Sequence, residues 1–137
     1  MSIGTDIIKD ALKAIGVASV ASPADPESLE DCRKQLNSML EMWLSKNIRI
    51  DTRALDVVGD ELGEPPDCRN AIVANLAVEV APLFSNGKSI VSPELRAKAR
   101  KGYSDVMGLY GRVTIPKKKI TNAYTAGYSM WRDSNWG

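Results

Sequence analysis

Histidine is absent from this 137-residue chain. With it go the Ser-His-Asp triad, imidazole proton shuttles and histidine metal ligands. Ordinary enzyme chemistry therefore starts at a disadvantage, and neither a metal nor another cofactor is expected. Only two cysteines occur, Cys32 and Cys68, far apart and in no C-x-x-C pattern. They read as reduced core thiols on helices, with a single disulfide in an oxidising compartment as the alternative. No run nears the ~20 apolar residues of a transmembrane helix, and no basic stretch precedes an apolar one at the N-terminus. No membrane partner and no signal peptide are expected, and synthesis is expected in the cytoplasm. Neither sign of charge dominates: 18 basic and 17 acidic residues leave a net +1. That excludes a uniformly basic nucleic-acid coat. Glycine-rich phosphate loops, a G-x-S-x-G elbow and an EF-hand are missing as well.

What remains is helical. Thr5 precedes Ile7, Ile8, Ala11, Leu12 and Ile15, whose spacing predicts one amphipathic helix capped by Thr5 and ended at Gly16. Asp25-Pro26-Glu27 predicts a second start, since proline at the first helical position gives up no needed hydrogen bond. Its apolar stripe is Leu29, Cys32, Leu36, Met39, Leu40, Trp43 and Leu44, and Asn47 is a left-handed stop. A third helix should begin near Pro66-Asp67, with a broad face of Ala71, Ile72, Leu76, Ala77, Val80, Leu83 and Phe84. Pro82 should kink or end its last turn. Ser92-Pro93-Glu94 repeats the cap-plus-proline start for a fourth helix, whose inner face is Leu95, Ala99, Tyr103, Val106, Met107 and Tyr110.

Two stretches break the pattern. Residues 48–66 alternate briefly and then become acidic and rich in glycine and proline, as a protruding loop or β-hairpin arm would. After Gly111 the helical spacing fails, yet Tyr124, Tyr128, Trp131 and Trp136 follow a Lys117-Lys118-Lys119 run. A tail without a core of its own ordinarily lacks aromatics. The expected organisation is thus an all-α bundle of about four antiparallel helices over 1–110, with the arm at 48–66 and an extended docking segment over 111–137.

The near-zero net charge conceals a division. Residues 1–87 hold 8 basic and 14 acidic side chains, whereas 88–137 hold 10 basic and 3 acidic. Such asymmetry points to a directed contact with a partner. Carboxylate chemistry is the remaining enzymatic option, drawn from Asp60, Glu61, Glu64 or Asp67. It requires two carboxyls whose pKa values are pushed apart, which a solvated Gly/Pro loop does not provide. The chain is expected not to be an enzyme.

Three segments taken in order carry a resemblance: Ala11-Leu12-Lys13-Ala14-Ile15-Gly16-Val17, then Met39-Leu40-Glu41-Met42-Trp43, then Asn75-Leu76-Ala77 followed by Ala81-Pro82. Over about residues 5–85 the chain resembles the head-to-tail connector family of tailed bacteriophages. These are the tail accessory or packaged-DNA-stabilisation proteins, best known from lambdoid short-tailed phages. The resemblance implies a small all-α adaptor, located in the virion at the head–tail junction. It would assemble as a twelve-fold ring beneath the portal protein; because ordering the tail costs conformational entropy until the platform is met, the free chain is expected to be a monomer. There it would extend the channel for packaged DNA, retain that DNA, and offer a platform for the next tail protein. In this family the C-terminal segment grips the portal and neighbouring subunits.

The residues chosen for these contacts follow from the chain itself. Lys117, Lys118, Lys119, Tyr124, Tyr128, Trp131 and Trp136 are the portal-contact candidates. Ile48, Ile50, Leu55, Val57 and Val58, apolar residues in an otherwise polar arm, are candidates for contact between copies. Two other functions compete with the adaptor: a small DNA-binding protein using the basic tail, and a tail-associated cell-wall hydrolase using the acidic residues.

Overall fold

A short polar side chain followed by proline opens two of the helices. In the computed structural model, which describes residues 3–18, 24–84 and 91–111, Asp25 caps α2 (Pro26–Ser45) by accepting the Ser28 N–H at 2.8 Å. Ser92 does the same for α4 (Pro93–Tyr110), taking the Leu95 N–H at 3.1 Å. Each cap satisfies one of the N–H groups that a helix start leaves without an internal partner.

The start of α1 (Gly4–Ala14) departs from the expected Thr5 cap. Ile3 is the capping residue and offers no side-chain bond. The 58–60 turn supplies the acceptors instead: Gly4 N–H donates to the Asp60 carbonyl at 2.8 Å, and the Thr5 hydroxyl donates to the Val58 carbonyl at 2.9 Å. A tertiary contact has replaced a local one, so no sequence rule for caps could locate it.

The stops are local and legible. Gly16 and Asn47 both take positive φ, 77° and 63°. After α1, Gly16 N–H reaches the Lys13 carbonyl and Val17 N–H the Leu12 carbonyl. After α2, Asn47 N–H reaches Leu44 and Ile48 N–H reaches Trp43. Both are Schellman closures, in which a left-handed residue turns the chain back over the last turn.

A 3-10 turn at Pro66–Cys68 leads into α3 (Arg69–Phe84), which Pro82 ends two residues later. This helix is apolar on most sides, and Ala71, Ile72, Ala74, Leu76, Ala77, Val80 and Ala81 are buried. It is the central element, packed against α1, α2 and α4. The α3–α4 approach is close because a Cβ at Gly102 would lie 2.9 Å from Ala71 Cα. Asn75 donates to the Ala71 and Ala99 carbonyls at 2.8 and 2.9 Å, which ties the pair together. Ile7, Ile8 and Leu12 of α1, with Leu36 of α2, complete the core. Each such side chain contributes about 1.5–3 kcal/mol on burial.

The all-α bundle is as expected; the arm is not. Among the described residues there is no strand, and 48–66 is joined to the rest by two isolated antiparallel bridges, Ile3 with Glu61 and Ile48 with Gly111. Instead of protruding, this strap lies back on the bundle and buries Ile48, Leu55 and Leu62 almost completely. The Schellman closure after α2 begins this return. Three further apolar positions are also corrected: Leu44, Leu83 and Met107, expected on inner faces, stand exposed near the ends of their helices.

Candidate interaction surface

The strap is fastened to α2 chiefly by one side chain. Asn37 donates from Nδ2 to the Leu55 carbonyl at 2.9 Å and accepts the Leu55 N–H on Oδ1 at 2.8 Å. Arg33 adds a second donor to the same carbonyl at 2.6 Å and is itself held by Glu30. With Leu55 pinned there and Ile48 pinned at the helix end, the intervening chain runs back along α2.

Two periodicities then meet. Residues Asn37, Leu40, Glu41 and Leu44 form one face of α2, and Ile48, Ile50, Thr52 and Ala54 form one face of the extended strap. Between them lies an open groove of about 220 Å³, apolar at Leu40, Leu44, Ile48 and Ile50 and rimmed by Glu41 and Arg53. A second hollow of about 250 Å³ lies between α2, α3 and α4, lined by Met39, Met42, Lys46, Glu79 and Tyr103 among others. There Trp43 meets Tyr103 edge-to-face at 5.5 Å, and Lys46 Nζ lies 5.9 Å above the same ring.

The structure divides the five residues expected at contacts between copies. Ile48 (2 % exposed, at the floor of the groove) and Leu55 (1 %) belong to the chain's own core and offer almost no surface to another copy, which corrects their assignment. Their apolar character is explained by the strap's attachment. Ile50 and Val58 pack partly against the core, and Val57 remains exposed. The portal-contact candidates Lys117, Lys118, Lys119, Tyr124, Tyr128, Trp131 and Trp136 all lie outside the described residues.

The acidic candidates have structural employment. The Asp60 carboxylate accepts the Asp56 and Val57 N–H groups, each at 3.2 Å, and so closes the 56–60 turn of the strap. Asp67 accepts the Tyr110 hydroxyl at 2.8 Å, which fastens the end of α4 to the start of α3. That bond, with some desolvation, pushes the Tyr110 phenol up to about 12. Glu64 is buried and Glu61 exposed, with its backbone in the bridge to Ile3. Cys32 and Cys68 are both free and buried. Desolvation, with a neighbouring carboxylate, pushes each thiol up to about 11. Such thiols are poor nucleophiles near neutral pH. Among the described residues no group of three or more Cys, Asp or Glu is placed to hold a metal ion, and no helix is long and apolar enough to cross a membrane.

No known protein family's sequence model matches this chain, and no curated protein matches it.

Sequence reasoning missed the groove because both walls were read separately, one as helix core and the other as a projecting arm. The signal was present in the pairing of a helical period over 37–44 with an alternating one over 48–54. Asn37 gave no signal, since one asparagine on a polar helix face is unremarkable until its partner is placed.

Proposed function

We propose that the chain is a head-to-tail connector of a tailed phage, an adaptor that assembles as a ring on the portal, continues its DNA channel and receives the next tail component. The observation that carries this reading is the placement of the three resembling segments. The first spans the end of α1 and the turn after it, and the others fall within α2 and α3, so the three lie on consecutive helices of one small bundle. The chain also has interaction capacity beyond the needs of its fold. It has an open apolar groove along α2, exposed Val57 and Leu83, and an acidic body followed by a basic C-terminal part. A ring of identical subunits uses head-to-tail interfaces, in which one surface of a copy meets a different surface of its neighbour. Opposite charge on two parts of one chain suits that geometry. The aromatic, lysine-rich residues from Lys117 to Trp136 are assigned to the portal.

A chain truncated after Tyr110 keeps all four helices and loses these residues. It should remain helical by circular dichroism and fail to co-sediment with portal rings that retain the full chain. Undiminished attachment of the truncated chain would end the assignment of the tail to the portal.

A DNA-binding module is the second reading, favoured by the exposed Arg96, Lys98, Arg100 and Lys101 of α4. Lys101 is already engaged by Asp105 at 3.0 Å. Phosphate binding would weaken steeply with salt as counterions return to the nucleic acid, whereas an adaptor needs only weak contact with DNA that must pass through it.

A further inference from the structure

The strap's 56–60 turn is held rigid and displays an apolar side chain. The Asp60 carboxylate takes the Asp56 and Val57 N–H groups, and the Asp60 N–H donates to the Val57 carbonyl at 3.1 Å. The start of α1 adds two donors, Gly4 N–H to the Asp60 carbonyl and the Thr5 hydroxyl to the Val58 carbonyl. On this turn Val57 stands 56 % exposed, with exposed Asp56 before it and exposed Glu61 after it. A lone exposed valine is ordinary. One held in place this way is preorganised, so seating it in a partner costs little further conformational entropy.

A seat of matching size lies elsewhere on the molecule. Both α2 and α4 pack on α3 and scarcely touch each other, which leaves the hollow of about 250 Å³ between them. That is below the roughly 300–1,000 Å³ of small-molecule sites and suits one or two side chains. Its apolar lining is Met39, Met42, Trp43 and Tyr103, with Met42 58 % exposed. Unbranched methionines adapt to the shape of what they cover. Lys46 stands over the Tyr103 ring, and Arg100, one turn before Tyr103 on the same face of α4, is exposed. Neither cation is ion-paired among the described residues. Glu79, also in the lining, accepts from Gln35 at 3.3 Å.

Turn and hollow belong to opposite flanks of α2. The strap reaches α2 at Arg33 and Asn37 and runs beside Leu40 and Leu44, whereas the hollow uses Gln35, Ser38, Met39 and Met42. At 3.6 residues per turn these two sets lie about half a turn apart. A copy therefore cannot seat its own turn in its own hollow, and a neighbouring copy can. We propose that the 56–60 turn of one copy seats Val57 in the α2–α4 hollow of the next, with Asp56 and Glu61 beside Lys46 and Arg100. Such a contact is head-to-tail, and repeated with rotation it closes a ring. One turn in one hollow is smaller than the ~1,200 Å² of a stable interface, so free copies separate readily. The contact acts where a platform holds copies side by side and raises their effective concentration. The ring, but not the pairwise contact, rests on the connector reading, which this contact deepens by naming where copies meet.

The test mixes two full-length chains, Val57→Cys and Met42→Cys, at about 1 mM under mild oxidation. Both positions are exposed and the native thiols are buried, so the fold is kept and the introduced thiols react. Seating of Val57 predicts disulfides between the two kinds of chain at least about tenfold faster than within either kind alone. The same margin should hold over a mixture of Val57→Cys with Leu44→Cys chains, since Leu44 is 52 % exposed but faces the groove on the other flank. Asp56→Lys in the first chain should slow the reaction at least about threefold, and Arg100→Glu in the second should restore it. A local disturbance of the turn would not be restored. Equal rates in all mixtures, or a rate that Arg100→Glu leaves slow, would overturn the proposal. Disulfides confined to pairs of Val57→Cys chains would overturn it too, since the contact would then be two-fold. Cross-linking by a chain that fails to bind portal rings would end the connector reading and leave the contact standing. Rings on the portal without the cross-link would do the reverse.

Discussion

Asn37 and Leu55 exchange two hydrogen bonds across eighteen residues of sequence, the side-chain amide of one matching the backbone N–H and C=O of the other. In this pairing a side chain does for the strap what a neighbouring strand would do in a sheet. Leu55 can consequently be buried without orphaning its peptide groups, which removes a main cost of placing a loop against a core.

Asn37→Leu keeps the volume and removes both bonds. It should destabilise the chain by about 1–3 kcal/mol, since one N–H loses its partner and the carbonyl keeps only Arg33. Urea unfolding followed by circular dichroism measures this. A change within about 0.5 kcal/mol, the range of ordinary surface substitutions, would mean that the strap is not held by this pair.

Two glycines should respond to alanine with opposite signs. At Gly4 a Cβ would press on the Leu55 side chain and lie 2.8 Å from the Val58 carbonyl, so Gly4→Ala should cost about 1–3 kcal/mol although alanine favours helices. At Gly108 nothing lies within 4 Å, so Gly108→Ala should stabilise by about 0.5–1 kcal/mol through helix propensity. Thermal unfolding of both variants checks the pair, and matching signs would contradict the strap's contact with the start of α1.

Tyr110 should titrate late. Its folded-state phenol is raised to about 12 by the bond to Asp67, above the ordinary value near 10. The protonated form is the favoured one, so its contribution is complete below about pH 10 and is lost as pH rises through about 12. Tyrosinate absorbance of the native chain should show one late component that Tyr110→Phe removes. If the late component survives that substitution, the Asp67–Tyr110 clasp is not formed in solution.

Both native thiols should resist modification. Cys32 and Cys68 are buried and raised to about 11. A soluble disulfide reagent near neutral pH should find no fast-reacting thiol in the native chain and two after denaturation. Rapid reaction of either in the native state would contradict its burial.

The helices were legible because their signals are local. Asp25-Pro26 and Ser92-Pro93 mark starts through the chemistry of one turn, and Gly16 and Asn47 mark stops through their tolerance of positive φ. The strap was misread because its signals are not local. Ile48, Leu55 and Leu62 look like exposed apolar residues in a polar arm until the Schellman turn after Asn47 folds them back and Asn37 holds them there. Thr5 was misread for the same reason, as the acceptors that serve the start of α1 belong to Val58 and Asp60. Of the residues expected at contacts between copies, the two largest contributors to the core were thus assigned outward. Leu44, Leu83 and Met107 were assigned inward by the helical period, which continues to the last turn whether or not anything packs on that side, and all three stand exposed.

The connector reading is tested most directly by mixing the purified chain with purified portal rings from the same phage and imaging the product by electron cryo-microscopy. The account predicts a closed ring of this chain on one face of the portal, with helical bundles around a continuous axial channel and density for the Lys117–Trp136 residues against the portal. Bare portal rings at saturating concentrations of the chain would contradict it.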